Sequence, residues 1–470
     1  MSASSPQDPQ GNDGSEGANP DGGAAALPSS VPLMPDEPET ILGTPPEEPP
    51  SEAEAVQEIA DIAGPRRSGL ASVFRHRNYR LFFTGQIVSL MGSWMQNTAQ
   101  PWLVYDLTHS KVLLGVVSFC STVPVFLITP FGGMVADRVD RRKFLLATQT
   151  AAMLQATVLA VLTLLHLVQV WEIICLALTM GTINAFDIPT RQSMTLDMVG
   201  REDLRHAISL NSMMFNGARI VGPTLAGLLI FAVGEGICFA LNAVSFGAVL
   251  LSLLMMRLAA RPPRIDRNAL YEILEGYRYS FATPQIRLSL VLVAASSLFG
   301  AAYITMMPAI TRDLLHGTSK EQGLLMSAAG AGALIGAYFL SRITEKQLVY
   351  MPVLSAGIFG VSIIAFVHSH VLLLSMALLL PVSAFLMLLG GTTNTIIQTV
   401  AAENFRGRVI SHYTQSFMGM LPWGALMLGT LAQHVGVTDA ISFGGLAVLA
   451  CAVLAFFWRR ATGFTLAPAE

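Results

Sequence analysis

From Tyr79 onward the chain alternates between long apolar runs and short charged interruptions. Crossing a bilayer as a helix takes roughly 20 mostly apolar residues. Runs of that kind fall at about 79–105, 112–135, 144–168, 171–192, 207–233 and 236–257. Six more fall at about 286–311, 322–342, 348–367, 371–398, 409–433 and 437–458. Backbone inside hydrocarbon must satisfy its own hydrogen bonds, so each run predicts a helix. The charged stretch RLAARPPRIDRNALYEILEGYRYSFATPQIR separates the two sets. The predicted fold is an all-α polytopic membrane protein with twelve transmembrane helices in two six-helix repeats. The halves are 66–258 and 286–460, joined by a cytoplasmic linker at 259–285 with a short amphipathic helix; 461–470 is a C-terminal tail.

Composition sharpens this division. Of 470 residues, 52% are hydrophobic and 13% charged, with mean hydropathy +0.54. A soluble protein devotes about a quarter of its residues to charge, so a soluble enzyme is excluded first. Residues 1–65 hold 13 of the 31 acidic residues and none of the 28 basic ones. This segment, rich in Pro, Gly, Ser, Asp and Glu, is expected to be a disordered acidic tail, an interaction arm being the functional alternative. It has no positive leader followed by an apolar core and so does not read as a secretory signal. Cys120, Cys175, Cys238 and Cys451 lie singly in apolar runs without metal-ligand spacing and read as inert core residues; no metal site and no cofactor is expected.

The basic residues orient the chain. With the N-terminus inside, 24 of the 28 Lys and Arg fall in cytoplasmic segments, as the excess of positive charge in such loops requires. Only Lys111, Arg312 and Lys320 remain outside, and Arg219 falls inside a span. Both termini are therefore expected in the cytoplasm. The halves also look repeated in parallel. Asp106-Leu-Thr-His-Ser-Lys111, then Gly115, follows the first span; Asp313-Leu-Leu-His-Gly-Thr-Ser-Lys320, then Gly323, follows the seventh. Ala207-Ile208-Ser209 and Val409-Ile410-Ser411 open spans five and eleven. Two such halves with a substrate site between them is a transporter architecture.

Between spans two and three lies Gly133-Met-Val-Ala-Asp137-Arg138-Val-Asp140-Arg141-Arg142-Lys143. It resembles the signature loop of the major facilitator superfamily, G-x-x-x-D-R-x-G-R-[KR], at Gly133, Asp137, Arg138, Arg141 and Arg142. Asp140 stands where that pattern has Gly. The resemblance implies a cytoplasmic latch between the halves in the outward-facing state, with Asp137 facing the start of span eleven near Val409–Ser411. Further stretches resemble one bacterial branch of the superfamily, which holds enterobactin-exporter-like and macrolide-efflux-like transporters. They are Phe74–Phe82, Asn184–Gln192, Arg201–Leu204 and Ala218–Gly227. The resemblance covers about 74–460. Gly222-Pro223 with Gly227 also resembles, in part, a G-P-x-x-G-G element of its exporters, and is expected to kink the helix.

Candidate path residues follow from polarity inside the spans. Gln86, Ser89, Ser93, Gln96, Asn97 and Gln100 recur at three- and four-residue spacing on the first span. A polar stripe in hydrocarbon must face protein or a wet cavity; a substrate-facing wall is the preferred reading, helix-to-helix hydrogen bonding the alternative. Ser289, Ser296 and Tyr303 in span seven, Asn394 and Gln398 in span ten, and Gln415 in span eleven are candidates for the facing half. Arg219 lies about 12 residues, roughly 18 Å, into span five, where an arginine is costly and marks function or a buried partner. Asp187, near the end of span four, is the nearest candidate for a proton site, pairing with Arg191 being its structural alternative.

There is no GxxxxGK[ST] phosphate loop, HExxH or GxSxG, and the histidines form no cluster in sequence, so ATP-driven pumping and enzyme activity find no support. The expected function is secondary active transport by alternating access, with export of an amphipathic small molecule such as a siderophore, macrolide or drug-like compound; proton coupling is implied by the resemblance. A transporter-derived sensor or assembly partner is the alternative. The expected setting is the bacterial inner membrane, the expected partners are small-molecule substrate, protons and the lipid bilayer, without nucleic acid, and a monomer is expected.

Overall fold

A computed structural model describes residues 70–257 and 269–462 of the chain; the side chains at 70, 130–134, 136–138, 201, 269–274 and 461–462 lie outside the described set. The expected N-terminal tail and residues 259–268 of the linker are likewise outside it. The first half consists of α1 (Arg77–Thr108), α2 (Lys111–Arg138), α3 (Arg141–Leu164), α4 (Val170–Gly200), α5 (Glu202–Val233) and α6 (Glu235–Met255). The linker carries α7 (Ala269–Ala282). The second half consists of α8 (Pro284–Leu314), α9 (Ser319–Leu340), α10 (Met351–Val367), α11 (Leu372–Val400), α12 (Glu403–Met418), α13 (Leu421–Val435) and α14 (Val437–Thr462).

Among the described residues nine helices are long and apolar enough to cross a membrane, by length and composition. The other three expected spans fall short of that measure for visible reasons. The 32-residue α1 carries the polar stripe, α10 has only 17 residues, and the eleventh span is broken between α12 and α13 at Gly419-Met420. Large apolar side chains point outward around the bundle, among them Trp171, Val244, Leu373 and Leu454. Exposure on this scale would make a soluble surface aggregate; a bilayer covers it. Arg287 stacks on Trp458, Arg342 on Tyr338 and Arg459 on Tyr350 at the arginine-rich ends of the helices. Aromatic–cation pairs of this kind belong at headgroup depth.

The repeat is visible in the backbone. His109 and His316, aligned in the two sequence matches, both take the left-handed conformation at φ 49°. Gly234 and Gly436, which end spans five and eleven, share a different positive-φ conformation, at φ 85° and 91° with ψ 171° and 161°. The signature loop folds without its glycine because Asp140, at φ −63°, caps α3: its carboxylate accepts the backbone N–H groups of Arg142 and Lys143 at 3.0 and 3.2 Å. An extended-region cap needs no Gly.

The halves pack unequally along the membrane normal. We call the end bearing Arg141, Arg142 and Lys143 the arginine-rich face, and the end bearing Lys111 and Lys320 the far face. Toward the far face one continuous core runs through both halves, from Trp102, Leu103 and Leu114 to Tyr303, Leu325 and Leu428. Toward the arginine-rich face the core divides. Tyr79, Phe82, Met194 and Leu253 form a cluster within the first half, and Ile286, Leu290, Ile397 and Val409 a separate one within the second.

Candidate functional site

Two helix crossings hold the far side together, and both depend on glycine. A Cβ on Gly115 of α2 would lie 2.6 Å from the Ala425 carbonyl oxygen of α13, and one on Gly429 would lie 2.6 Å from that of Lys111. At the second crossing a Cβ on Gly323 of α9 would lie 2.5 Å from the Pro223 carbonyl oxygen and 3.2 Å from the Gly227 Cα of α5. No side chain fits, so the backbones touch directly, as membrane helices do at small residues. Gly115 and Gly323 are the glycines that the sequence repeat aligned.

Outside these crossings a polar latch spans the far face. Tyr105 donates to both carboxylate oxygens of Asp313 at 2.8 Å, and Lys111 pairs with Asp313 at 3.1 Å. Arg312 in turn pairs with Asp106 and stacks on Trp102 at 4.6 Å. The arrangement is an exchange: the Asp of each repeat takes the residue just before the Asp of the other. Deeper in, Gln322 donates to the Thr98 carbonyl, Thr224 bonds Ser327 at 2.6 Å, and Ser327 donates to the Ile220 carbonyl at 2.5 Å. Ser118 and Thr305 meet at 3.3 Å. These bonds between the halves all lie on the far side of Arg219.

Arg219 sits where the seal ends. Its guanidinium lies 6.0 Å from the Trp94 ring centroid, beside Phe215, and has no hydrogen-bond or ion-pair partner among the described residues. Tyr303 is buried and meets Ser383 at 3.4 Å. It sits in an irregular stretch of α8, where Ser296–Gly300 and Ile310–Leu314 are π-helical turns and Ala301–Met306 is a 3-10 turn. Such departures from regular winding are frequent at functional sites. Ser296, at the start of that stretch, is buried with no partner for its hydroxyl among the described residues.

The polar stripe of α1 divides. Gln96 joins the helices of the first half, donating to Gln155 and accepting from Asn242. Gln86 and Ser89 are buried, Ser93 is half-buried and Asn97 is exposed. In the second half Asn394 is half-buried and accepts from Gln398 at 2.9 Å. Gln415 accepts from Tyr277 of the linker helix, so it anchors α7 to α12. Ser280 with His412 and Arg408 with Glu275 reinforce the same contact.

In the signature loop Arg141 pairs with Asp197 at 2.7 Å, and Arg142 donates to the Leu253 and Leu254 carbonyls at the end of α6. Both sets of contacts stay within the first half. Gly133, Asp137 and Arg138 lie on α2 with side chains outside the described residues. Asp187 is buried and accepts from Thr148 at 2.9 Å, Gln149 at 2.7 Å and Arg191. These three donors come from α3 and α4, so the carboxylate ties the two helices together. At Gly222-Pro223 the dihedrals of α5 stay in the helical region, and the residue that leaves it is Gly200, φ 72°, between α4 and α5. Gly222 instead lets α1 approach, since its Cβ would meet Trp94 Cβ at 2.5 Å. Nothing in the sequence marks Trp94 and Phe215 as part of a site, and the Asp106 and Asp313 loops stand out there only as a repeat.

The profile of the transmembrane secretion effector family matches residues 68–463. The chain is 26% identical over 386 residues to the staphyloferrin A transporter of Staphylococcus aureus, covering 81% of this chain and 96% of that one. It is 27% identical to the multidrug efflux pump Tap of Mycolicibacterium fortuitum, over 80% and 94% of the two chains. It is 24% identical to the enterobactin exporter EntS of Shigella boydii, over 81% and 91%. Among solved structures, an inward-facing, unoccupied bacterial homologue of the lysosomal transporter Spinster superposes with a TM-score of 0.62 at 14% identity, covering 81% of this chain and 95% of the other. An inward-facing bacterial homologue of the iron transporter ferroportin gives 0.59 at 16%, over 81% and 97%.

Proposed function

Because the chain belongs to the transmembrane secretion effector family, within the major facilitator superfamily, we propose that it exports an amphipathic small molecule by alternating access. One observation carries this reading: the halves share a core and a polar latch on the far side, whereas their cores are separate on the arginine-rich side. A two-half protein closed at one end and parted at the other is one of the two end states that alternating access requires. The relatives named as an enterobactin exporter and a multidrug efflux pump support export of a small molecule.

The arginine-rich face is assigned to the cytoplasm of a bacterial inner membrane, with both termini on that side, on the distribution of Lys and Arg. The structure then corresponds to a state open to the cytoplasm. Gly133, Asp137, Arg138, Arg141 and Arg142 are assigned to the cytoplasmic latch that forms when the molecule turns outward; Arg141 and Arg142 hold contacts within their own half meanwhile. The substrate path runs past Ser93, Asn97, Arg219, Ser296, Tyr303 and Asn394. Proton coupling is proposed from the family, and Asp187, held by three donors, is assigned to anchoring α3 against α4.

The test is transport by the purified chain in proteoliposomes under an imposed pH gradient, with a panel of siderophores, macrolides and dyes. Gradient-dependent movement of at least one compound is expected. A protein correctly inserted and folded that moves none of them, with or without a gradient, would overturn the exporter reading.

A further inference from the structure

One line of residues along α5 changes character at Arg219. Ile208, Ser212, Phe215, Arg219, Pro223 and Gly227 follow one another at three- and four-residue spacing and therefore lie on one face of the helix. Above Arg219 this face is sealed: Pro223 and Gly227 are pressed against Gly323 of α9. Below Arg219 the same face is open: Ile208 is 57% exposed, Phe215 48%, and Ser212 exposed. Arg219 is thus the first residue beneath the seal, at the apex of the crevice between the halves.

A guanidinium carries five donors and no acceptor and stays charged. Here none of those donors has a bonding partner among the described residues, and the ring beside it, Trp94, is 6.0 Å away. Asp187, the buried carboxylate of α4, is already tied to Thr148, Gln149 and Arg191. An unpaired charge at this depth is costly, and the cost is relieved by water or by an anion. The surroundings favour an anion with an apolar body. Phe215 packs edge-on against Trp94 at 5.5 Å, is about half exposed, and lies one turn before Arg219 on the same face of α5.

We infer that Arg219 is the anchor of the substrate site, binding the anionic group of an amphipathic substrate whose apolar body lies along Trp94 and Phe215. This rests on the exporter reading for its biological meaning, but the site can be tested by binding alone. The transported class is then amphipathic anions, such as carboxylates, sulfonates or phenolates attached to a hydrophobic frame.

The experiment uses the full-length protein in nanodiscs of zwitterionic phosphatidylcholine, which keeps net-anionic headgroups out of the crevice. The probes are 2-naphthalenesulfonate and its neutral counterpart 2-naphthalenesulfonamide, measured by equilibrium dialysis. The sulfonate is expected to bind at least tenfold more tightly than the sulfonamide, and only the sulfonate should raise the thermal midpoint of the wild type. Arg219→Gln should lose about tenfold or more of sulfonate affinity, the scale of a charge-assisted hydrogen bond, and leave the sulfonamide unchanged. Arg219→Lys should keep part of the preference. Equal binding of the two probes by the wild type would overturn the inference without any variant. So would an Arg219→Gln protein that is folded and binds the sulfonate as the wild type does. Adding anionic phosphatidylglycerol to the discs should compete with the sulfonate only weakly; full displacement would assign the site to lipid and also overturn it. Sulfonate binding without any transport would sink the exporter reading and leave the anion site standing.

Discussion

Asp313→Asn should open the far face. In the structure Asp313 takes the Tyr105 hydroxyl at 2.8 Å and Lys111 at 3.1 Å, with side-chain exposures of 35% for Asp313 and 19% for Lys111. Asparagine keeps an acceptor for Tyr105 but turns a charge-assisted hydrogen bond into a neutral one, a loss of about 1–2 kcal/mol. The Lys111 pair is partly exposed, so its loss adds only about 1 kcal/mol. Both contacts join the two halves and exist only while the far face is closed. The closed state should therefore lose about 2–3 kcal/mol relative to the open one, roughly 30- to 150-fold in population. The assay is the distance between nitroxides placed through Leu167→Cys and Val371→Cys, in a background with the four native cysteines replaced by alanine. These positions lie on far-face loops of opposite halves and are both exposed. In the wild type a short distance should dominate; in Asp313→Asn a longer one should appear. Reversing the pair, Lys111→Asp with Asp313→Lys, should recover much of the short population. An unchanged distance distribution in Asp313→Asn, with the protein folded, would refute the latch.

Two further outcomes test the packing and the buried ion. Gly323→Ala places a methyl 2.5 Å from the Pro223 carbonyl oxygen, an overpacking cost of about 1–3 kcal/mol, so it should lengthen the same nitroxide distance. Gly357→Ala, whose Cβ would meet only Ala452 at 3.9 Å, should leave the distance as it is; equal effects at both sites would rule out the crossing as the cause. Asp187→Asn should lower thermal stability by about 2–4 kcal/mol, because Arg191 loses its buried partner. The pH dependence of any residual transport should stay that of the wild type; loss of that dependence at unchanged stability would make Asp187 the proton carrier.

The polar stripe shows where residue-level reading stops. Gln86, Ser89, Gln96 and Asn97 share one sequence pattern, and nothing in it tells Gln96, bonded to Gln155 and Asn242, from Asn97, which is exposed. Gln415 was equally plausible as a wall of the path, and its partner Tyr277 comes from a linker whose docking no pattern in α12 announces. Arg219 was legible because charge in the middle of an apolar run is itself a signal.

The apolar runs and the repeat are legible in the chain alone, because each is written in windows of about 20 residues or in short loops. His109 and His316, or Gly234 and Gly436, take matching backbone conformations because local chemistry alone decides a turn. The tertiary structure decided which glycines meet, that Tyr105 reaches Asp313 and Arg312 reaches Asp106, and that the seal along α5 ends at Arg219. Those facts depend on the register of one half against the other across about 200 residues of chain. Register is set by the sum of many close backbone approaches, and no single segment contains it.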